Sequence, residues 1–230
     1  MVRKRQRRSR RGREDRRDRL SELPDCVLLH IMQFMDTKSV VQTCVLSKRW
    51  KHLWKYLTTL AFNSLFFNNV EQFHQICLRV LSGRDHSISL HNVEFNRRGS
   101  ALSQPLNRLM KYDVLHNVMF CPYIFSCQSL TFLKVCVSSC NPFMIVLPES
   151  LNMPAIKSLH LDCCTSSTSG RDYAEPFSTC HKLNSLTVEC CVLQNGVKYL
   201  MVSNFNLSHL TVIGCIEVIE SEESYRWRST

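Results

Sequence analysis

Apolar positions change their rhythm partway along the chain. Over residues 24–35, Val27, Leu28, Ile31, Phe34 and Met35 recur at three- and four-residue intervals, the spacing that lines one face of a helix. Leu23-Pro24 stands at its start, where proline is tolerated because its missing N–H would be unpaired in a first helical turn. Asp36-Thr37 supplies N-cap chemistry for a second helix with Val40, Val41, Cys44 and Val45 on its apolar side. Ser47 is expected to cap a third, whose stripe is Trp50, Leu53, Trp54 and Leu57. Connections this short force the three helices onto one another, and a unit of about forty residues is near the lower limit for folding alone. It carries more apolar surface than it can bury internally. The excess needs a partner, either the rest of the chain or another protein.

Beyond Leu57 a longer period takes over. Leu130-x-x-Leu133-x-Val135, Ile156-x-x-Leu159-x-Leu161, Leu183-x-x-Leu186-x-Val188 and Leu207-x-x-Leu210-x-Val212 share one pattern, with starts 26, 27 and 24 residues apart. Eight positions after each start stand Ser138, Cys164, Cys191 and Cys215. This is the leucine-rich-repeat signature, L-x-x-L-x-L-x-x-N/C. Each copy predicts a short parallel strand whose alternate side chains enter a shared core, followed by an inward turn that a small buried side chain can fill. Positions between the core residues then face outward together, and the row predicts a protein-recognition surface formed by Lys134, His160, Asp162, Thr187, Glu189 and Thr211. Two weaker copies are Leu57-x-x-Leu60-x-Phe62 and Leu115-x-x-Val118-x-Phe120. Between them Val70, Phe73, Ile76, Cys77 and Val80 predict an amphipathic helix, and Ser87–Val93 a strand. Gly83, the 96–99 segment and the 165–170 segment read as turns. No flexible linker separates the helices from the repeats, so the third helix is expected to cap the first end of the sheet.

Composition sharpens this picture. The formal charge of +10 on 230 residues suggests nucleic acid until it is located. Residues 1–19 hold eleven Arg/Lys against Glu14, Asp15 and Asp18, a net of +8, and the remainder carries only +2. Basicity belongs to a tail, which reads as solvated or as a nuclear-import signal and lacks the interleaved aromatics that stack on bases. Thirteen cysteines with no apolar leader suggest reduced thiols and a nuclear or cytoplasmic location. The longest stretch without Asp, Glu, Lys or Arg, Val114–Leu133, contains His116, Asn117, Pro122 and Gln128 and so predicts buried strands and turns, with no membrane span.

The segment from Asp18 to Met32, with Leu23-Pro24-Asp25, and the segment from Thr37 to Trp54, with Leu46-Ser47-Lys48-Arg49-Trp50, resemble a plant-type F-box almost residue for residue. With the repeats behind it, the layout resembles the plant F-box/leucine-rich-repeat family. The resemblance implies an α+β or α/β architecture: a basic tail (1–17), an F-box (18–57), an irregular leucine-rich-repeat solenoid with a parallel sheet (58–215) and a C-terminal tail (216–230). It also implies that Leu23, Pro24, Leu28, Ile31, Val40, Val41, Cys44, Val45 and Leu46 form or support contact with a Skp-type adaptor, and through it a cullin. The expected function is that of a substrate-recognition subunit of an SCF ubiquitin ligase, bringing an unknown target protein to the ubiquitin-transfer machinery. No polar capping repeat follows Cys215, which leaves open a truncated form that binds the adaptor without a target. A basic nucleic-acid-associated protein is the other alternative, disfavoured by the near-neutral repeats.

No catalytic site, cofactor or metal is expected. There is no G-x-S-x-G elbow, no phosphate-cradling glycine loop and no H-E-x-x-H. Cys163-Cys164, Cys180-His181 and Cys190-Cys191 are directly adjacent pairs, unlike the short hooks of structural zinc sites, and strand alternation sends the two side chains of a pair to opposite faces.

Overall fold

The computed structural model describes residue 20 and residues 22–98, 124–138, 145–166, 168–194, 196–214, 216–221 and 224–229. The basic tail, the Leu115–Phe120 copy and Cys215 lie outside the described residues. Three short helices come first: α1 (Asp25–Met32), α2 (Thr37–Gln42) and α3 (Trp50–Leu53). Pro24 precedes α1, and the Asp36 carboxylate caps α2 by accepting from Ser39 N at 2.9 Å. Ser47 does not cap α3 with its side chain: that helix starts two residues later than the stripe predicts, and Ser47 contributes only its carbonyl, to Lys51 N. Leu28, Met32, Val40, Trp50 and Leu53 meet in the interior.

The chain then runs through β1 (Thr59–Asn63), α4 (Val70–Gly83), β2 (Asn92–Arg98), β3 (Phe132–Ser138), β4 (Ile145–Leu147), β5 (Ser158–Asp162) and β6 (Cys164–Ser166). After these come β7 (Tyr173–Ala174), β8 (Ser185–Glu189), β9 (Val192–Leu193), β10 (Tyr199–Val202), β11 (His209–Ile213), β12 (Ile216–Ser221) and β13 (Ser224–Ser229). The main sheet has six strands in the order β1-β2-β3-β5-β8-β11, every neighbouring pair parallel. Its register aligns the repeat positions: Leu60, Val93, Leu133, Leu159, Leu186 and Leu210 form one row, and Phe62, Phe95, Val135, Leu161, Val188 and Val212 the next. The first five residues of each row are buried. A three-stranded parallel sheet, β4-β6-β9, lies beyond the strand ends.

α4 buries Phe73, Cys77, Val80 and Leu81, one face at helical spacing, and Asn69 caps it through Gln72 N at 2.8 Å. Gly83 is its last residue and not a turn. A Cβ there would stand 3.1 Å from the Trp54 ring, so glycine serves the close approach of that indole. Other boundaries also differ from expectation. The strand assigned to Ser87–Val93 is instead Asn92–Arg98, because Asp85 Oδ1 accepts from Ser87 N and Oγ (2.9 and 2.7 Å) and keeps the chain turned. The expected loop at 96–99 is therefore mostly strand, and Thr165-Ser166, also read as loop, pairs within β6. Within the segment 216–230, expected to be a tail, β12 and β13 pair antiparallel, with β13 also paired to β10.

The helical unit is joined to the sheet without an intervening linker. Leu57 and Leu60 are both buried in the same cluster. The Thr37 hydroxyl on α2, itself buried, accepts from Ala61 N at 2.9 Å, so α2 satisfies part of the outer edge of β1. An uncovered strand edge is a template for unwanted pairing, and here a helix blocks it.

Candidate functional site

Two surfaces stand out. On the helical unit, the nine residues expected at an adaptor contact divide by depth. Leu28 and Val40 are fully buried and support the surface from beneath, with Leu23, Val41 and Cys44 half-buried. Pro24 and Ile31 are exposed, and so are Val45 (87%) and Leu46 (61%). Val27 and Phe34 (79%) extend the exposed set one helical step to each side of Ile31. The His30 ring meets Phe34 edge-on at 5.2 Å. Arg49 anchors the start of α1: its guanidinium donates to Asp25 Oδ1 (2.6 Å from Nε) and to the Leu23 carbonyl. Large apolar side chains left in solvent on so small a unit are what a docking face presents.

The second surface is the outward side of the main sheet. Lys134, His160, Thr187 and Thr211 are register partners in successive strands, and Asp162 and Glu189 pair in the row above. The six residues are thereby brought to one face, each half-buried or exposed. His160 Nε2 lies 3.5 Å from Glu189 Oε1. Asp162 Oδ2 accepts from Val137 N at 3.3 Å, across the gap to β3. Glu94 on β2 pairs with Lys134 and lengthens the row, a residue the sequence reading passed over. The signal for it was Leu90-x-x-Val93-x-Phe95, a repeat in which valine and phenylalanine replace leucine.

Among the described residues, Cys77, Cys163, Cys164, Cys180 and Cys191 are buried. Burial pushes the Cys180 thiol up to about 11 and the Cys77 thiol further still. Cys164 is raised first by its hydrogen bond with Cys191 and then by burial. Thiols held protonated in this way are fillers, not nucleophiles. Asp162, Cys163 and Cys190 nevertheless come together, their ligand atoms all within 4.8 Å of one another, and among the described residues they are the one such group. The expectation that adjacent cysteines diverge concerned neighbours along the chain. The parallel ladder instead stacks a residue of one repeat on its counterpart in the next.

Residues 20–60 match the family described as F-box domain. The amino-terminal unit is an F-box. Over most of its length the chain is similar to plant F-box/LRR-repeat proteins. An FBD-associated F-box protein of Arabidopsis thaliana is 26% identical, covering 89% of this chain and 46% of its own. F-box/LRR-repeat protein 13 of the same plant is 26% identical over 74% of this chain and 40% of its own. A further Arabidopsis thaliana F-box/LRR-repeat protein is 29% identical over 89% of this chain and 42% of its own. The chain thus spans less than half the length of these curated relatives. No solved structure matches it. No helix among the described residues is long and apolar enough to cross a membrane.

Proposed function

We propose that the chain is a non-catalytic substrate-recognition subunit of an SCF ubiquitin ligase, working in the nucleus or cytoplasm. The F-box docks on a Skp-type adaptor and through it reaches a cullin. The repeats, an irregular leucine-rich-repeat solenoid in this reading, hold a target protein on the face that carries Lys134, His160, Asp162, Thr187, Glu189 and Thr211. The protein makes no bond itself. It raises the local concentration of target lysines near activated ubiquitin, which converts a bimolecular encounter into a tethered one.

The observation that carries this reading is the exposure of Ile31, Phe34, Val45 and Leu46 on a unit whose interior is already filled by Leu28, Met32 and Val40. These side chains are surplus to folding, and their burial against an adaptor is worth about 25 cal/mol per Å² of apolar surface. Co-expression with a plant Skp-type adaptor tests it. The wild-type chain co-purifies. A Val45→Asp/Leu46→Asp variant, which alters only exposed positions, loses about 2 kcal/mol or more of binding, roughly 30-fold in affinity, and keeps its fold. A Leu23→Ala/Pro24→Ala variant is weakened in the same direction. A wild-type chain that fails to co-purify overturns the proposal.

A further inference from the structure

At the carboxyl ends of β5, β8 and β11 the chain leaves the main sheet through equivalent residues, Cys163, Cys190 and Gly214. All three have positive φ, at 54°, 48° and 92°. The ladder continues through them: Cys163 N donates to the Glu189 carbonyl at 3.0 Å and Cys190 N to the Ile213 carbonyl at 2.8 Å. Left-handed backbone suits glycine and disfavours a side chain, by roughly 1 kcal/mol or more. Two of the three positions carry cysteine regardless, and the turn they share sets each one directly beside the other. Gly214 leaves room next to them, since a Cβ there would lie 3.3 Å from Cys190 Sγ. The Asp162 carboxylate closes the group from β5. Its Oδ2 accepts from Val137 N, and the carboxylate supplies the oxygen of a set of two sulfurs and one oxygen within 4.8 Å.

We propose that Asp162, Cys163 and Cys190 form a binding site for a thiophilic divalent cation of the zinc class, at the carboxyl edge of the repeat sheet. The donor set selects the ion. Two thiolates favour zinc or cadmium over magnesium and calcium, and a single carboxylate is compatible with zinc. Ligands on one tetrahedral zinc at about 2.3 Å lie roughly 3.8 Å apart, so the three atoms need only side-chain adjustment to close on an ion. Cys163 is buried while Asp162 and Cys190 are half-buried, which leaves the fourth position to solvent. Binding displaces the two thiol protons to water and makes no other change in the protein's bonds. The site bridges two repeats at the side of the sheet where the outward-facing row ends, next to Glu189.

The experiment uses the full chain, purified under a non-chelating phosphine reductant, with zinc and cobalt(II) as the probes. Wild type binds one equivalent of zinc, and cobalt(II) gives a near-ultraviolet thiolate charge-transfer band that zinc abolishes. Cys163→Ser/Cys190→Ser loses the band with an unchanged circular dichroism spectrum. Cys26→Ser/Cys44→Ser, which removes two thiols of the helical unit, keeps it. Asp162→Asn still accepts from Val137 N but binds zinc at least tenfold more weakly. Absence of binding in wild type overturns the proposal, as does full binding by Cys163→Ser/Cys190→Ser. Should that double variant fail to fold, Asp162→Asn decides alone: zinc affinity equal to wild type overturns the site.

Discussion

His74 sits on α4 with its Nε2 buried and without a hydrogen-bond partner, beside the Arg97 guanidinium. Burial first, and the arginine second, lower its pKa from 6.5 to about 4. The folded protein therefore keeps a neutral imidazole where the unfolded chain would take up a proton. Above pH 6.5 neither state is charged there and stability does not depend on this residue. As pH falls from 6.5 toward 4, only the unfolded chain binds the proton, and stability declines across that window. His74→Phe fills the same pocket with a group that cannot titrate. Urea midpoints measured from pH 7 to pH 4.5 are expected to drop in wild type and to drop less in the variant. Parallel curves would show that His74 does not contribute.

At the scale of elements, the join between α2 and β1 depends on one hydroxyl. Thr37→Val keeps the shape of the side chain but leaves the part-buried Ala61 N–H without its acceptor, at a cost of about 1 kcal/mol. The melting temperature is expected to fall, while Thr37→Ser, which retains the acceptor, stays near wild type. A valine variant as stable as wild type would mean that the edge of β1 is satisfied in another way. Legibility in the sequence also divides by element. The four regular strands were readable because Leu130, Ile156, Leu183 and Leu207 each open an intact copy, the first two helices because Pro24 and Asp36 stand at their starts, and α3 from its Trp50-Leu53 spacing alone, since Ser47 does not cap it. β2 was misplaced since Asp85 and Ser87 delay it and since Val93 and Phe95 weaken its pattern. β4, β6, β7 and β9 are two or three residues long, too short to show alternation. The outward row was legible from strand alternation alone. The meeting of Asp162 with Cys163 and Cys190 was not, because it arises across strands and at backbone angles that a residue string does not display.

For the whole molecule, the division of labour can be separated experimentally. Lys134, His160 and Glu189 are outward and none belongs to the core. Their combined replacement by alanine is expected to abolish capture of the cognate target from plant extract. Melting temperature and adaptor co-purification remain as in wild type, since both depend on other residues. Unchanged capture would place the target elsewhere on the chain.

The shared interior has a further consequence for how such a protein can be rebuilt. Leu57 ends the last helical turn and Leu60 belongs to the first strand, yet both lie in one apolar cluster with Trp50 and Phe62. A chimera cut at residue 58 would strip the cover from each half and send two sticky fragments into solution. Any transplant of the front unit onto a different receptor must carry the first strand with it, and that receptor must offer a strand able to pair with it as Asn92–Arg98 does.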